Sequence, residues 1–248
     1  GIYVHIPFCK QKCKYCDFIS FSCNEEVQKE YVKCLIEEIK NKKVERKSNE
    51  VSTIYIGGGT PSIIDSKYII EILNEIKNSF LVKEKSEITI EINPGTVDEQ
   101  KLKEYYNAGI NRISFGLQST KSELLKLIGR IHSYSDFLES YNLAKKVRFK
   151  NINIDLMIGL PVQTLEDVKK DLERITELKP EHISVYSLIV EEGTVIEQKI
   201  SNKELYLPSE ELERKMYWEV KNTLEEKGYK HYEISNFSKL GYESKHNL

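Results

Sequence analysis

Apolar and polar positions alternate with a period of two in short runs of this chain. In the longer stretches between them, apolar positions recur at three- and four-residue intervals. The period-two runs are Ile2 to Ile6, Ser52 to Gly57, Ile88 to Asn93, Arg112 to Gly116, Ile152 to Ile158 and Ile183 to Leu188, and the alternation predicts strands over them. The helical spacing predicts helices at about Glu25 to Lys42, Ser66 to Phe80, Asp98 to Asn107, Lys121 to Ile128, Ser135 to Val147 and Thr164 to Leu178. Six βα units in succession imply right-handed crossovers and a parallel sheet, either a barrel or a doubly wound sheet.

Successive strand residues point to opposite faces, and the two faces differ. One is apolar: Ile2, Val4, Ile6; Ile54, Ile56; Ile88, Ile90, Ile92; Ile113, Phe115; Ile152, Ile154, Leu156; Ile183, Val185. The other reads Tyr3, His5; Thr53, Tyr55; Thr89, Glu91, Asn93; Ser114, Gly116, Gln118; Asn153, Asp155; Ser184, Tyr186. A closed eight-stranded barrel fills its interior with branched apolar residues, and a doubly wound sheet is apolar on both faces. Neither fits. Burying an unpaired Glu91 or Asp155 would cost several kcal/mol, so the polar face is expected to line a solvated or ligand-filled lumen. The expectation is an α/β fold, a partial (β/α)6 TIM-like barrel over residues 1–190, open at one side. Beyond Val190 the rhythm breaks. A helix from Ser209 to Glu226, with Leu212, Met216, Val220 and Leu224 on one face, and a strand-like Lys230 to Ser235 read as the beginning of a smaller C-terminal domain over 191–248 that closes the open side.

The chain has 248 residues, 40% hydrophobic and 31% charged, with a formal net charge of −2, which describes an ordinary globule. It offers no basic field for nucleic acid. No apolar window reaches the roughly 18 residues of a membrane span, and the N-terminus carries no export signal. The runs Lys40 to Glu50 and Val82 to Glu87 read as solvated connections. The chain starts directly on a strand and stops without a terminal signal, as expected of a fragment.

Five cysteines, all within the first 34 positions, change the picture. An odd number in a chain long enough to bury a core argues against a disulfide framework and for thiols kept reduced in a cytoplasm. Cys9, Cys13 and Cys16 form CxxxCxxC after the first strand. Three thiolates so spaced can hold three irons of a cubane iron–sulfur cluster and leave the fourth iron open, which suits binding and cleaving a cofactor. A structural zinc site, with Cys23 as fourth ligand, is the other reading. Cys34 falls with Val27, Tyr31, Leu35 and Ile39 at helical spacing and reads as a small core residue.

Other candidate chemistry also falls at the carboxyl ends of strands, where parallel βα folds bind ligands. GGGTPS (Gly57 to Ser62) follows the second strand, EINPGT (Glu91 to Thr96) ends the third, GLQS (Gly116 to Ser119) the fourth, and Asp155 precedes IGLP (Ile158 to Pro161) on the fifth. The glycine turn offers bare backbone to a ligand, or is simply a tight turn into a helix; it lacks the ending of a phosphate-binding Walker loop. Asp155 could accept hydrogen bonds from ribose hydroxyls or sit in an internal salt bridge. Arg130, just past a helix that Gly129 would terminate, could fork onto a carboxylate or lie on the surface.

Together, IYVHIPFCKQKCKYCDF, GGGTPS, EINPGT, SFGLQS with Arg130 twelve residues after Gln118, and NIDLMIGLP resemble the radical S-adenosylmethionine family of oxygen-independent coproporphyrinogen III oxidases and their relatives. The resemblance runs from Ile2 to the last residues. It implies that Cys9, Cys13 and Cys16 hold a [4Fe–4S] cluster and that S-adenosylmethionine chelates the open iron through its amino and carboxylate groups. It also implies that Tyr3, Tyr15, Gly58, Gly59, Thr60, Glu91, Gln118, Arg130 and Asp155 contact cofactor, some of them a second S-adenosylmethionine as in the oxidase. The oxidase branch carries CxxxCxxCxC, whereas this chain has Phe18 at the added position. CDF, the short N-terminal segment and the final KHNL are similar to the haem-chaperone branch, whose haem motif is HNxxYW. Of that motif His246 and Asn247 are present, and Ser244 stands where the branch usually has a cysteine. This implies a chaperone that binds haem, with His246 and Asn247 as haem contacts, and delivers it to client haem proteins. The alternative is an oxygen-independent coproporphyrinogen III oxidase or another radical S-adenosylmethionine enzyme that modifies a tetrapyrrole.

Overall fold

The structure is a computed structural model and describes residues 1–42 and 50–248; most of the Lys40 to Glu50 run therefore lies outside the described residues. Six strands follow one another in order across one sheet: β1 (Ile2–Ile6), β2 (Glu50–Gly58), β3 (Leu81–Ile92), β4 (Arg112–Gln118), β5 (Ile152–Ile158) and β6 (His182–Ser187). All five pairings among them are parallel. The intervening helices are α1 (Glu25–Lys42), α2 (Ser66–Ser79), α3 (Glu99–Asn107), α4 (Ser122–Leu127), α5 (Tyr134–Lys146) and α6 (Leu165–Glu177). This is the expected partial (β/α)6 barrel, and its first strand stays an edge rather than closing onto β6.

Register explains the core. Ile54 pairs with Ile88, Ile90 with Ile113, Ile113 with Ile152 and Ile154 with Ile183, so the branched side chains of the apolar face form continuous rows across the sheet. All seven of those isoleucines are buried. Against them lie Ile69, Ile72, Leu73 and Ile76 of α2, Phe137 and Tyr141 of α5, and Leu172 and Ile175 of α6. Helix starts are set locally. Ser133 and Thr164 each form a capping box with an aspartate three residues on, Asp136 and Asp167, which satisfies amide groups the first turn leaves free.

Several elements differ from the sequence reading. β3 starts at Leu81, because Leu81 and Val82 pair with Glu50 and Val51 across a register shift. The Val82 to Glu87 run is thus strand, although Lys83, Glu84 and Lys85 still face water. Alternating charge hid it, since nothing apolar marks a two-stranded extension beyond the core. Helix α7 (Val195–Ser201) was not anticipated; it is seven residues long and capped by Thr194, too short for a periodic signal. In α1 the buried positions are Val32 and Ile39, while Val27 and Cys34 are exposed. Tyr31, Leu35 and Ile39 of the expected stripe do pack on the core, together with Val32 and Ile36, so the seam is turned away from Val27 and Cys34.

Helix α8 (Glu210–Glu226) forms as expected, with Met216, Val220 and Leu224 buried. Lys230 to Ser235 resolves into a hairpin, β7 (Lys230–Glu233) and β8 (Asn236–Ser238), and β8 pairs antiparallel with β6. The tail that follows runs back beneath the lumen, with Ser244 buried and the His246 amide donating to Glu87. No helix among the described residues is long and apolar enough to cross a membrane.

Replacing Thr164 by Ala removes one half of the capping box on α6 and is expected to lower unfolding free energy by about 1 kcal/mol. Urea denaturation with an unchanged slope checks this; a midpoint equal to that of the parent would show the cap to be idle.

Candidate functional site

The polar strand face and the loops above it enclose a cavity of about 380 Å³, within the size range of ligand pockets. Its walls are built from the strands in order: Tyr55, Gly58, Gly59 and Thr60 from the end of β2, Glu91 and Asn93 from β3, Ser114, Gly116 and Gln118 from β4, Asp155 from β5, Ser184 and Tyr186 from β6. Above them Cys9, Cys13, Tyr15, Cys16 and Phe18 form the rim, Arg130 enters from the loop after α4, and Asn236 and Asn247 close the far side.

The loop carrying the three cysteines is held at several points. Cys9 and Phe21 share backbone hydrogen bonds around a Phe8–Phe21 bridge, with Cys9 N donating to Phe21 O at 3.1 Å and Phe21 N to Pro7 O at 2.9 Å. Lys14 N donates to Ile128 O, and Lys14 O accepts from Ile196 N, both at 2.9 Å. Ile196 is fully buried with Leu124, Ile128, Met157 and Leu160, and Tyr15 packs against this cluster. The unanticipated α7 is therefore the far anchor of the cysteine loop.

The glycine turn after β2 has a steric reason. A Cβ on Gly59 would stand 2.7 Å from Phe8 O and 2.9 Å from Phe8 N, backbone atoms that cannot yield. That close approach lets Gly59 N donate to Ile6 O at 2.8 Å and Thr60 N to Phe8 O at 2.7 Å, joining the turn to the cysteine loop. Gly58, at φ +112°, faces the His5 ring and donates its amide to Glu91 Oε2 at 3.1 Å.

All three thiols are half-buried and free, and two receive hydrogen bonds: Thr60 Oγ1 lies 3.5 Å from Cys9 Sγ and Arg130 Nη1 3.6 Å from Cys13 Sγ. Burial pushes the Cys16 thiol up, and a hydrogen bond from the Phe18 backbone opposes it. Among the described residues no three Cys, His, Asp or Glu side chains gather as one metal ion would require. Cys23 packs against the core cluster and does not line the cavity.

Arg130 is fixed on both sides. Nη2 donates to Asn93 Oδ1 at 2.7 Å and to Gly116 O, while Nε has no partner among the described residues. Asn93 donates in turn to Thr60 Oγ1 at 2.8 Å. Glu91 accepts from Tyr55 Oη at 2.8 Å. Withdrawal from water pushes its carboxyl up to about 7; Tyr55 and the Gly58 amide pull the other way, and the charge of Asp155 adds to the rise. Burial likewise raises Asp155, opposed by hydrogen bonds from Asn153 and Ser114. Burial raises Tyr15 as well, with the Arg130 charge acting against it. Tyr186 Oη donates to Gln118 Oε1 at 3.0 Å.

Of the residues singled out as cofactor contacts, Tyr15, Gly58, Gly59, Thr60, Glu91, Gln118, Arg130 and Asp155 thus meet on one cavity with Cys9, Cys13 and Cys16. Tyr3 does not line it. Its ring is half-exposed and stacks on Tyr55 at 6.1 Å, and burial with the nearby Glu91 charge pushes its phenol up to about 12. Asn247 lines the cavity, whereas His246 lies beneath it, against the Tyr55 ring at 5.1 Å and with Nδ1 3.0 Å from Thr53 Oγ1. Asn93, which joins Arg130 to Thr60, had been placed on the polar face but not in the site; that placement was the available signal. Asn236 gave none, because it arrives on a hairpin outside the βα rhythm.

The sequence profile of the radical SAM superfamily matches residues 3–175. Curated relatives called heme chaperone HemW are 41% identical in Lactococcus lactis and 40% in Bacillus subtilis, each over 99% of this chain, and 38% in Escherichia coli over all of it. This chain spans 64–65% of the length of those relatives. Among solved structures, coproporphyrinogen III oxidase (HemN) from Escherichia coli superposes with a TM-score of 0.88 at 27% identity, over 98% of this chain and 56% of that one.

Glu91 also makes stability depend on pH. Because its native pKa is raised, it holds its proton more tightly folded than unfolded, where carboxyls of this type titrate near about 4.3. The resulting stabilisation is complete below that value and is lost as pH rises through about 7. Between pH 4 and pH 8 the Glu91→Gln chain is therefore expected to lose less stability than the parent in urea titrations of the metal-free protein. Equal losses would contradict the assigned shift.

Proposed function

Because the chain belongs to the radical SAM superfamily, we propose that it is a haem chaperone built on that family's barrel. In this reading it binds a [4Fe–4S] cluster, S-adenosylmethionine and haem, and delivers haem to client haem proteins in a reducing cytoplasm. Cys9, Cys13 and Cys16 would hold the cluster. The donor set fits it: three thiols on one rim, two of them hydrogen-bonded by Thr60 and Arg130. When bound, such a cluster supplies one-electron chemistry to S-adenosylmethionine.

The cavity fits the second cofactor by charge. Nε of Arg130 is a donor left for a carboxylate. Glu91 and Asp155 are acceptors suited to an ammonium and to ribose hydroxyls, Gly58 and Gly59 give access to backbone, and Tyr15, Thr60 and Gln118 complete the walls. Tyr3 would contribute through the Tyr55 ring on which it stacks. For haem we propose His246 and Asn247. The His246 ring is held by Thr53 and Tyr55, and the tail would have to turn outward and release those contacts to offer iron a ring nitrogen.

The observation that favours a carrier over an enzyme is Phe18. It stands exposed on the cavity rim, at the position where the oxidase pattern has a further cysteine. The alternative, an oxygen-independent coproporphyrinogen III oxidase, is favoured by the likeness of fold to that enzyme and by the complete set of polar strand ends around the cavity.

After anaerobic reconstitution, replacing any one of Cys9, Cys13 or Cys16 by Ser is expected to abolish iron retention, whereas Cys23→Ser and Cys34→Ser keep it. Iron loss in the Cys23 variant would overturn the ligand set. Haem added to the full-length protein should shift the Soret band stoichiometrically. Incubation with reductant, S-adenosylmethionine and coproporphyrinogen III should yield no protoporphyrinogen; product formation would decide for the oxidase.

A further inference from the structure

A line of hydrogen bonds crosses the lumen floor from the C-terminal hairpin to Asp155. Tyr232 Oη of β7 lies 2.7 Å from His182 Nε2. His182 is fully buried, and its Nδ1 lies 2.6 Å from Asn153 Oδ1. Asn153 Nδ2 donates to Asp155 Oδ1 and to Ser114 Oγ, each at 2.7 Å, and Ser114 Oγ donates to Asp155 Oδ2 at 3.1 Å.

The direction of each bond follows from its neighbours. An ionised Asp155 only accepts, so the Asn153 amide must turn its NH2 toward it and its oxygen toward His182. That oxygen also receives the Ser184 hydroxyl at 3.1 Å. His182 must then carry its proton on Nδ1, and its bare Nε2 accepts from Tyr232. The Tyr232 oxygen accepts from the Ser244 amide at 3.1 Å, which leaves its own proton for His182. Burial, and the Arg112 charge beside it, hold the His182 ring neutral, its pKa brought down to about 2. A protonated ring would need an acceptor at both nitrogens, and Tyr232 is oriented as a donor.

We infer that Tyr232, His182 and Asn153 are positioning residues that hold the Asp155 carboxylate in one orientation, with both oxygens anchored from below and free to accept from a ligand above. The inference rests on the cofactor reading of the cavity and deepens it. It assigns a role to residues of the C-terminal hairpin, which no contact with the cavity would have suggested for Tyr232. Outer partners of this kind fix the geometry of the group that meets the ligand, and their loss commonly costs affinity.

The test uses the cluster-loaded full chain in its oxidised, diamagnetic state. Calorimetric titration with S-adenosylmethionine gives affinity, and imidazole 15N spectra of the same samples give the His182 tautomer. The parent should show a protonated Nδ1 and a bare Nε2. Tyr232→Phe, which keeps the ring, should mix the tautomers and weaken binding about fivefold, the size of one neutral hydrogen bond. His182→Leu should weaken it about tenfold or more, and His182→Asn, which restores a donor to Asn153, should recover most of that loss. Parent-like affinity in both Tyr232→Phe and His182→Leu would overturn the inference, as would an Nε2-protonated His182 in the parent. A parent chain that binds no S-adenosylmethionine would bring down the cofactor reading and this role of Asp155 together; parent and variants would then fail alike, which separates that outcome from the others.

Discussion

Two carboxylates in one lumen, Glu91 and Asp155, set the terms for the rest of the molecule. A barrel whose strands carry acids inward cannot collapse onto itself, because each acid must find a donor or give up its charge. The chain does some of both. Asp155 is met by Asn153 on its own strand and by Ser114 on β4. Glu91 is met by a phenol and a glycine amide and is still driven toward protonation. Arg112, buried on the lumen side of β4 and without an ion pair among the described residues, supplies positive charge from below. The sheet stays open at β1, and its polar lining meets no apolar partner across the cavity.

That same two-faced character made the architecture legible. Strands β1 to β6 could be placed because their isoleucines recur on alternate positions while the intervening residues are polar, a pattern that neither a closed nor a doubly wound sheet would tolerate. Most of the cavity followed, since motifs at strand ends converge once the strands are parallel. What escaped depended on contacts without sequence period. α7 is only seven residues long, and its value lies in one buried isoleucine and one amide. The extension of β3 is charged because it reaches past the core. Cys34 missed the core because a stripe of three- and four-residue steps can be drawn along either of two adjacent faces of α1. The position of His246 beneath Tyr55 depends on how the tail folds back, for which spacing carries no signal.

The cavity joins chemistry gathered from distant parts of the chain. A glycine turn ties β2 to the cysteine loop, an arginine ties that loop to β3 and β4, and a hairpin beyond the βα units reaches the floor through a histidine. Any group placed on the rim by the cysteines would therefore communicate with the sheet through backbone as well as side chains. Arg130 is the clearest instance: one guanidinium touches a thiol, an amide oxygen and a strand carbonyl.

The anchor at Ile196 has a consequence in time. The cysteine loop is made first as the chain emerges, yet one of its backbone clamps, Ile196 N to Lys14 O, belongs to a helix synthesised much later. Contacts so distant in sequence form slowly. Until that one forms, the loop has its earlier clamps, to Phe21, Thr60 and Ile128, but lacks the last. Closure of the loop that carries three thiols thus waits on a short helix that carries none of the chemistry.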